Sequence, residues 1–198
     1  MDLALDVEVF CNDGRCGRST NVILNPITRE VTHLVVALET RPHTEYVVPT
    51  GFLGETTPGS INLHCTTAEL KALEPFVVEE FVAVETPQYD NNVSAWPLVT
   101  SDTKWTSVVH HHVPLGELAV RRGARVEAAD GGSVGNVEEF LVDERCRVTH
   151  LVLGKGHLWR HKDVAIPVSE IESYEEKTVR VRLSKQAVDG LPAVEIHR

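Results

Sequence analysis

The chain has 198 residues, 42% hydrophobic and 24% charged, with a formal net charge of −10. That length supports one large or two small domains with real cores, and no apolar run approaches the ~20 residues of a membrane helix. An acidic surface repels phosphate, which argues against non-specific binding to nucleic acid or anionic lipid.

The opening stretch "MDLALDVEVF" carries an early acid and has neither a basic flank nor a cleavage site. It does not read as a signal peptide, so a soluble, cytoplasmic protein is expected. The next signal is Asp13-Gly14 between alternating apolar residues, in "VEVFCNDGRCG". It predicts a β-hairpin with a type I′ turn, which needs positive φ at both central positions. Asn25-Pro26 marks a second turn. "THLVVAL" is β-branched and apolar enough for a buried strand, with Val31, His33 and Val35 counted on one face and Thr32, Leu34 and Val36 on the other. Pro49 ends the next strand, where a missing amide does no harm. "SINLHC" gives a further strand, and Thr66-x-x-Glu69 gives a capping box for a short helical turn.

Residues 84–112 break this pattern. Pro87, Asn91-Asn92 and Pro97 predict a linker, while Tyr89, Trp96 and Trp105 predict that parts of it pack, on the chain itself or on a partner.

From residue 113 the signals return in the same order. "VTHLV" at Val31–Val35 matches "VTHLV" at Val148–Val152, and Asp13-Gly14 stands opposite Asp130-Gly131. The second copy has one extra residue before Gly135. "EYVVPTGFL" matches "DVAIPVSEI", "INLHCT" matches "VRVRLS", and Ser184 caps where Thr66 does. Collinear matches of this kind indicate duplication. The expected fold is all-β: two tandem small antiparallel barrels, each with a short C-terminal helical turn, over residues 1–83 and 113–198. Curling into a barrel buries the apolar face of so small a sheet and removes open edges.

"DGRCGRSTNVILNPITREVTHLVV" and "GNVEEFLVDERCRVTHLVLGKGHLWRHKDVAIPVSEIE" resemble the PRC-barrel family. That family is named after the cytoplasmic part of the photosynthetic reaction-centre H subunit, and its barrel also occurs in small-subunit ribosome maturation factors. The resemblance covers both copies and leaves out the linker. It implies a PRC-like barrel in each half and no shared catalytic residues. It also implies a non-enzymatic adaptor or assembly scaffold that binds another protein. The chain differs from the reaction-centre subunit in having no membrane helix. It differs from the ribosome factors in pairing the barrel with a second barrel.

The residues themselves offer few chemical sites. "HLWRHKD" puts Trp159 beside Arg160 and Lys162, a composition suited to stacking and phosphate contact, and its counterpart "ETRPHTE" has no tryptophan. Trp159, Arg160 and Lys162, with Trp96 or Trp105, are therefore the expected partner contacts, unless Trp159 folds back as a lid. His33 and His150 are equivalent, and if the halves pack through that strand the two can approach each other, as a candidate metal-binding or pH-sensing pair. Otherwise each satisfies a local partner. His110-His111-His112 makes a poor single metal site, because adjacent strand residues point to opposite faces. Cys11, Cys16, Cys65 and Cys146 are expected as reduced thiols, with a Cys11–Cys16 redox or metal pair as the alternative. No Walker loop, GxSxG elbow or HExxH is present, so neither an enzyme nor a cofactor is expected. The charge is uneven: residues 113–198 hold 13 of the 19 Lys and Arg. An RNA- or ribosome-associated maturation factor using that half is the alternative function, and a metal or small-ligand module at His33 and His150 is a third. Self-association through a strand edge stays open.

Overall fold

The computed structural model describes residues 2–40, 44–57, 59–89, 99–155, 162–175 and 177–194. The first repeat gives β1 (Asp2–Ala4), β2 (Glu8–Cys11), β3 (Gly14–Asn25), β4 (Glu30–Leu38), β5 (Glu45–Pro49), β6 (Leu53–Thr57), β7 (Ser60–Leu63) and α1 (Thr67–Lys71). Two long strands follow, β8 (Val77–Tyr89) and β9 (Val99–His111). The second repeat gives β10 (Leu118–Arg121), β11 (Arg125–Glu127), β12 (Ser133–Val142), β13 (Val148–Lys155), β14 (Lys162–Pro167), β15 (Ile171–Tyr174), β16 (Thr178–Val181) and α2 (Lys185–Asp189). Among the described residues no helix is long and apolar enough to cross a membrane.

The protein is all-β, built on two seven-stranded sheets. Six strands of each run in the order β5-β4-β3-β2-β7-β6 and β14-β13-β12-β11-β16-β15. Neighbours joined by short turns are antiparallel, as expected. One pair in each sheet is not: β2 with β7 and β11 with β16 are parallel, because the chain returns to its first hairpin by a long connection. The backbone after each helix then folds over the far edge. Val47 N–H donates to Glu74 O and Val194 N–H to Asp163 O, at 2.9 and 2.8 Å, which covers β5 and β14.

The Asp-Gly turns form, but not as type I′. Only the glycines have positive φ, +125° at Gly14 and +82° at Gly131. The aspartates serve the helices instead. Asp13 accepts from the Thr67 N–H at 2.9 Å, and Asp130 accepts from the Lys185 N–H at 3.1 Å, each at the first residue of its helix. The capping box at Thr66 and Glu69 is present, and Ser184 accepts from the Ala187 N–H. Gly17 and its counterpart Gly135 allow strands to approach closely. A Cβ on Gly135 would lie 2.6 Å from Gly154 O.

One core is shared by residues of both repeats, among them Leu3, Val22, Leu34, Val36 and Ile61 with Val120, Phe140, Leu151, Ile166 and Val179. Cys11, Cys16 and Cys65 are buried in it and free. Their counterparts are Ala128, Val134 and Leu183, so the thiols occupy positions that need a small or medium apolar group. Burial pushes the Cys11 thiol up to about 12 and the Cys65 thiol up to about 11, and raises Cys16 as well. These are packing thiols, held in the unreactive form.

Residues 77–112, where a linker was expected from residue 84, hold a two-stranded antiparallel ribbon that forms a unit of its own. Pro87 is accommodated opposite Ser101, since each strand of a two-stranded ribbon keeps one unpaired edge.

Candidate functional site at the seam of the two sheets

The repeated phrase "VTHLV" is a β-bulge. In β4, Ile23 faces His33 and Leu24 faces Val31, so Thr32 is the extra residue; in β13, Leu141 faces His150 and Val142 faces Val148, so Thr149 is. Thr149 donates its hydroxyl across the strands to Leu141 O at 3.0 Å, whereas Thr32 Oγ1 lies 3.3 Å from Ile23 O and gives its single proton to the Glu117 carboxylate. The bulge breaks the two-residue count. Val31 joins Leu34 and Val36 in the core instead of sharing a face with His33, and Val148 joins Leu151 and Leu153 likewise.

Just before each bulge the chain turns through a residue with positive φ, Arg29 at 61° and Cys146 at 58°. These turns meet. Val31 N–H donates to Cys146 O and Val148 N–H to Arg29 O, at 2.8 and 2.9 Å, and Glu30 bridges antiparallel to Arg147. All three pairings join equivalent positions reciprocally, which is the signature of a twofold relation between the repeats.

The same relation governs the first strands. β1 pairs with β12 of the other sheet, Leu3 opposite Phe140. β10 pairs with β3, Val120 opposite Val22. Each repeat therefore lends its first strand to its sibling. The crossing points are Asp6 (φ 62°) and Gly123 (φ 78°), equivalent residues with the same backbone partners. Asp6 N–H donates to Ser19 O and Gly123 N–H to Val137 O, at 2.7 and 2.8 Å. Arg122 ties the crossings together, 2.8 Å from Asp6 and 2.6 Å from Glu138. The buried Ser19 hydroxyl donates to Ala4 O at 3.0 Å and accepts from the Val7 N–H.

The two histidines have different surroundings. His33 Nδ1 lies 2.9 Å from Thr32 Oγ1 and 3.6 Å from the carboxylate of Glu117, to which Thr32 also donates. His150 Nδ1 lies 3.2 Å from Thr149 Oγ1 and lines an open cleft of about 440 Å³. The cleft is shared between the repeats: Thr28 and Arg29 come from the first, Arg147, Thr149, His150 and Ser169 from the second. Asp143 also lines it, but its carboxylate accepts from the N–H groups of Arg147 and Arg145, which hold it below the usual carboxylate range. Among the described residues no group of three metal-ligating side chains converges.

Trp96, Trp159 and Arg160 lie outside the described residues. Lys162 is the first residue of β14, in register with Lys155. Trp105 is on the ribbon, opposite Ala83 and 68% exposed. His110 and His111 are in β9 and exposed, as is His112 just beyond it. Arg29, Arg147 and Ser169 were not singled out from sequence. A signal existed, since Arg29 and Arg147 flank the start of the repeated phrase in each copy.

Two sheets of the same topology, each with a bulged central strand and a terminal capped helix, define a duplicated all-β protein. The family model for the PRC-barrel domain matches residues 122–188, so this part of the chain is a PRC-barrel domain. No curated protein matches the chain.

Proposed function

We propose that the chain is a non-enzymatic adaptor or assembly scaffold of the cytoplasm that holds another protein. The PRC-barrel domain, a module often used in protein interactions, supports this reading. The observation that carries it is the ribbon. Trp105, Val109, Val84 and Val78 are all exposed there, and a two-stranded hairpin is at best marginally stable without a further surface. Single exposed apolar residues are ordinary, but among the described residues of the ribbon a tryptophan and four valines are exposed, Trp105 and Val109 on one face and Val78, Val84 and Val108 on the other, and tryptophan is a residue type that interfaces favour. Trp159, Arg160 and Lys162 offer a second contact.

The test is affinity capture of the tagged protein, with and without nuclease, in parallel with the variants Trp105→Ser and Arg160→Ala/Lys162→Ala. A defined protein partner that resists nuclease and is lost with Trp105→Ser supports the adaptor. An RNA- or ribosome-associated role is the second reading, favoured by the 13 of 19 Lys and Arg in residues 113–198. It predicts nuclease-sensitive, salt-dependent recovery that weakens with the Arg160/Lys162 variant.

A further inference from the structure

We propose that the seam cleft is a binding site for a small organic anion: a carboxylate or phosphate ester on a compact apolar body. Three observations carry this. The first is the lining. Arg29 and Arg147 bring a guanidinium from each repeat, His150 adds an imidazole, and Thr28, Thr149 and Ser169 add hydroxyls, while Val148, Pro167 and Val168 supply apolar wall. Small-ligand sites have this make-up, mostly apolar with a few convergent polar groups. Guanidinium forks suit carboxylate and phosphate oxygens.

The second is the charge balance. Among the described residues, neither Arg29 nor Arg147 forms an ion pair within 4.0 Å, and Asp143 is already engaged by backbone N–H groups. The lining thus carries two guanidiniums against the one carboxylate of Asp143, which stays ionised and also acts on Arg147, leaving an excess of one positive charge. The third is the twofold relation itself. At the equivalent Thr32-His33 pair a carboxylate is in place: Glu117 accepts from Thr32 Oγ1 and lies 3.6 Å from His33 Nδ1. The Thr149-His150 pair repeats that geometry, at 3.2 Å between Oγ1 and Nδ1, and opens on the cleft. The cleft thus presents the same type of residue pair that meets a carboxylate at Thr32-His33, with Thr149 Oγ1 already donating to Leu141 O.

The inference does not depend on the adaptor reading, and its test needs no protein partner. The full chain, labelled with nitrogen-15, is titrated with benzoate, phenyl phosphate, benzamidinium and benzyl alcohol, following amide and imidazole NMR signals. Saturable shifts at Arg29, Arg147 and His150 with benzoate or phenyl phosphate are expected, with His33 unmoved. Whichever of the two binds tighter identifies the anion type. Arg147→Gln should weaken binding about tenfold or more, as expected for a lost charge-assisted pair, and Arg147→Lys should recover part of it. Arg29→Gly removes the second guanidinium while keeping the positive φ, so the seam hydrogen bond to Val148 survives. No saturable shift with either anion, equal binding of benzamidinium, or affinity unchanged in Arg147→Gln with a dispersed spectrum would each overturn the proposal.

Discussion

The exchange of first strands makes a prediction that neither repeat alone would make: damage to residue 3 should loosen residues near 140. Leu3 is fully buried, opposite Phe140 in the second sheet. Leu3→Ala removes three buried carbon atoms and leaves a gap that the flanking strands only partly close. Substitutions of this type cost about 2–5 kcal/mol. A strand of only three residues can shift more easily than a long one, so a value near the lower end, about 2–3 kcal/mol, is expected. For a domain of this size each kcal/mol lowers Tm by about 2–4 °C, so a fall of roughly 4–12 °C should be seen by calorimetry. Hydrogen exchange locates the damage. Amides of Glu139, Phe140 and Leu141 should lose protection, because they lie opposite β1. If β2 and β3 lose protection while β12 keeps it, the strand exchange is wrong and β1 belongs to its own repeat.

Three further outcomes follow from the same geometry. Gly135→Ala should destabilise by more than about 2 kcal/mol in urea unfolding, since the new Cβ meets Gly154 O at 2.6 Å and φ is +149°, whereas Gly132→Ala, with nothing closer than 3.6 Å, should be tolerated. Asp13, Glu69 and Asp143 all have folded pKa values below their ordinary ones, because backbone N–H groups donate to their carboxylates. Their contribution is therefore complete only above the unfolded values, from about pH 5 upward, and is lost as pH falls through the lower folded values; the urea midpoint should drop as the pH is lowered below about 5, less so in Asp143→Asn. Cys11, Cys16 and Cys65 should react with a thiol reagent at pH 8 only after unfolding; rapid native labelling of Cys11 would contradict a thiol held near 12.

Much of this was legible in the residues. The duplicated phrase, the turn signals and the capping box located both repeats and their helices, because these features are local and their chemistry is read directly. What the sequence hid is relational. Counting alternate residues put Val31 beside His33, and only the bulge at Thr32 separates them; a bulge leaves no mark in composition. Leu3 and Ala4 in β1 are apolar whichever sheet receives them, so the exchange with β10 could not be seen. The Asp-Gly pairs predicted a turn type that the aspartates do not adopt, because their carboxylates are drawn to helix amides more than fifty residues away. For the cleft, Arg29 and Arg147 were visible as charges, but that the turns bearing them converge was not.

The exchanged strand also orders events in time. As the chain is made, β2 to β7 emerge with β3 still lacking its outer neighbour, which is supplied only by residues 118–121. β1 has no place to pair until residues 139–141 exist. Contacts of such long sequence separation are slow to form, so folding of this protein should end, rather than begin, with its first strand.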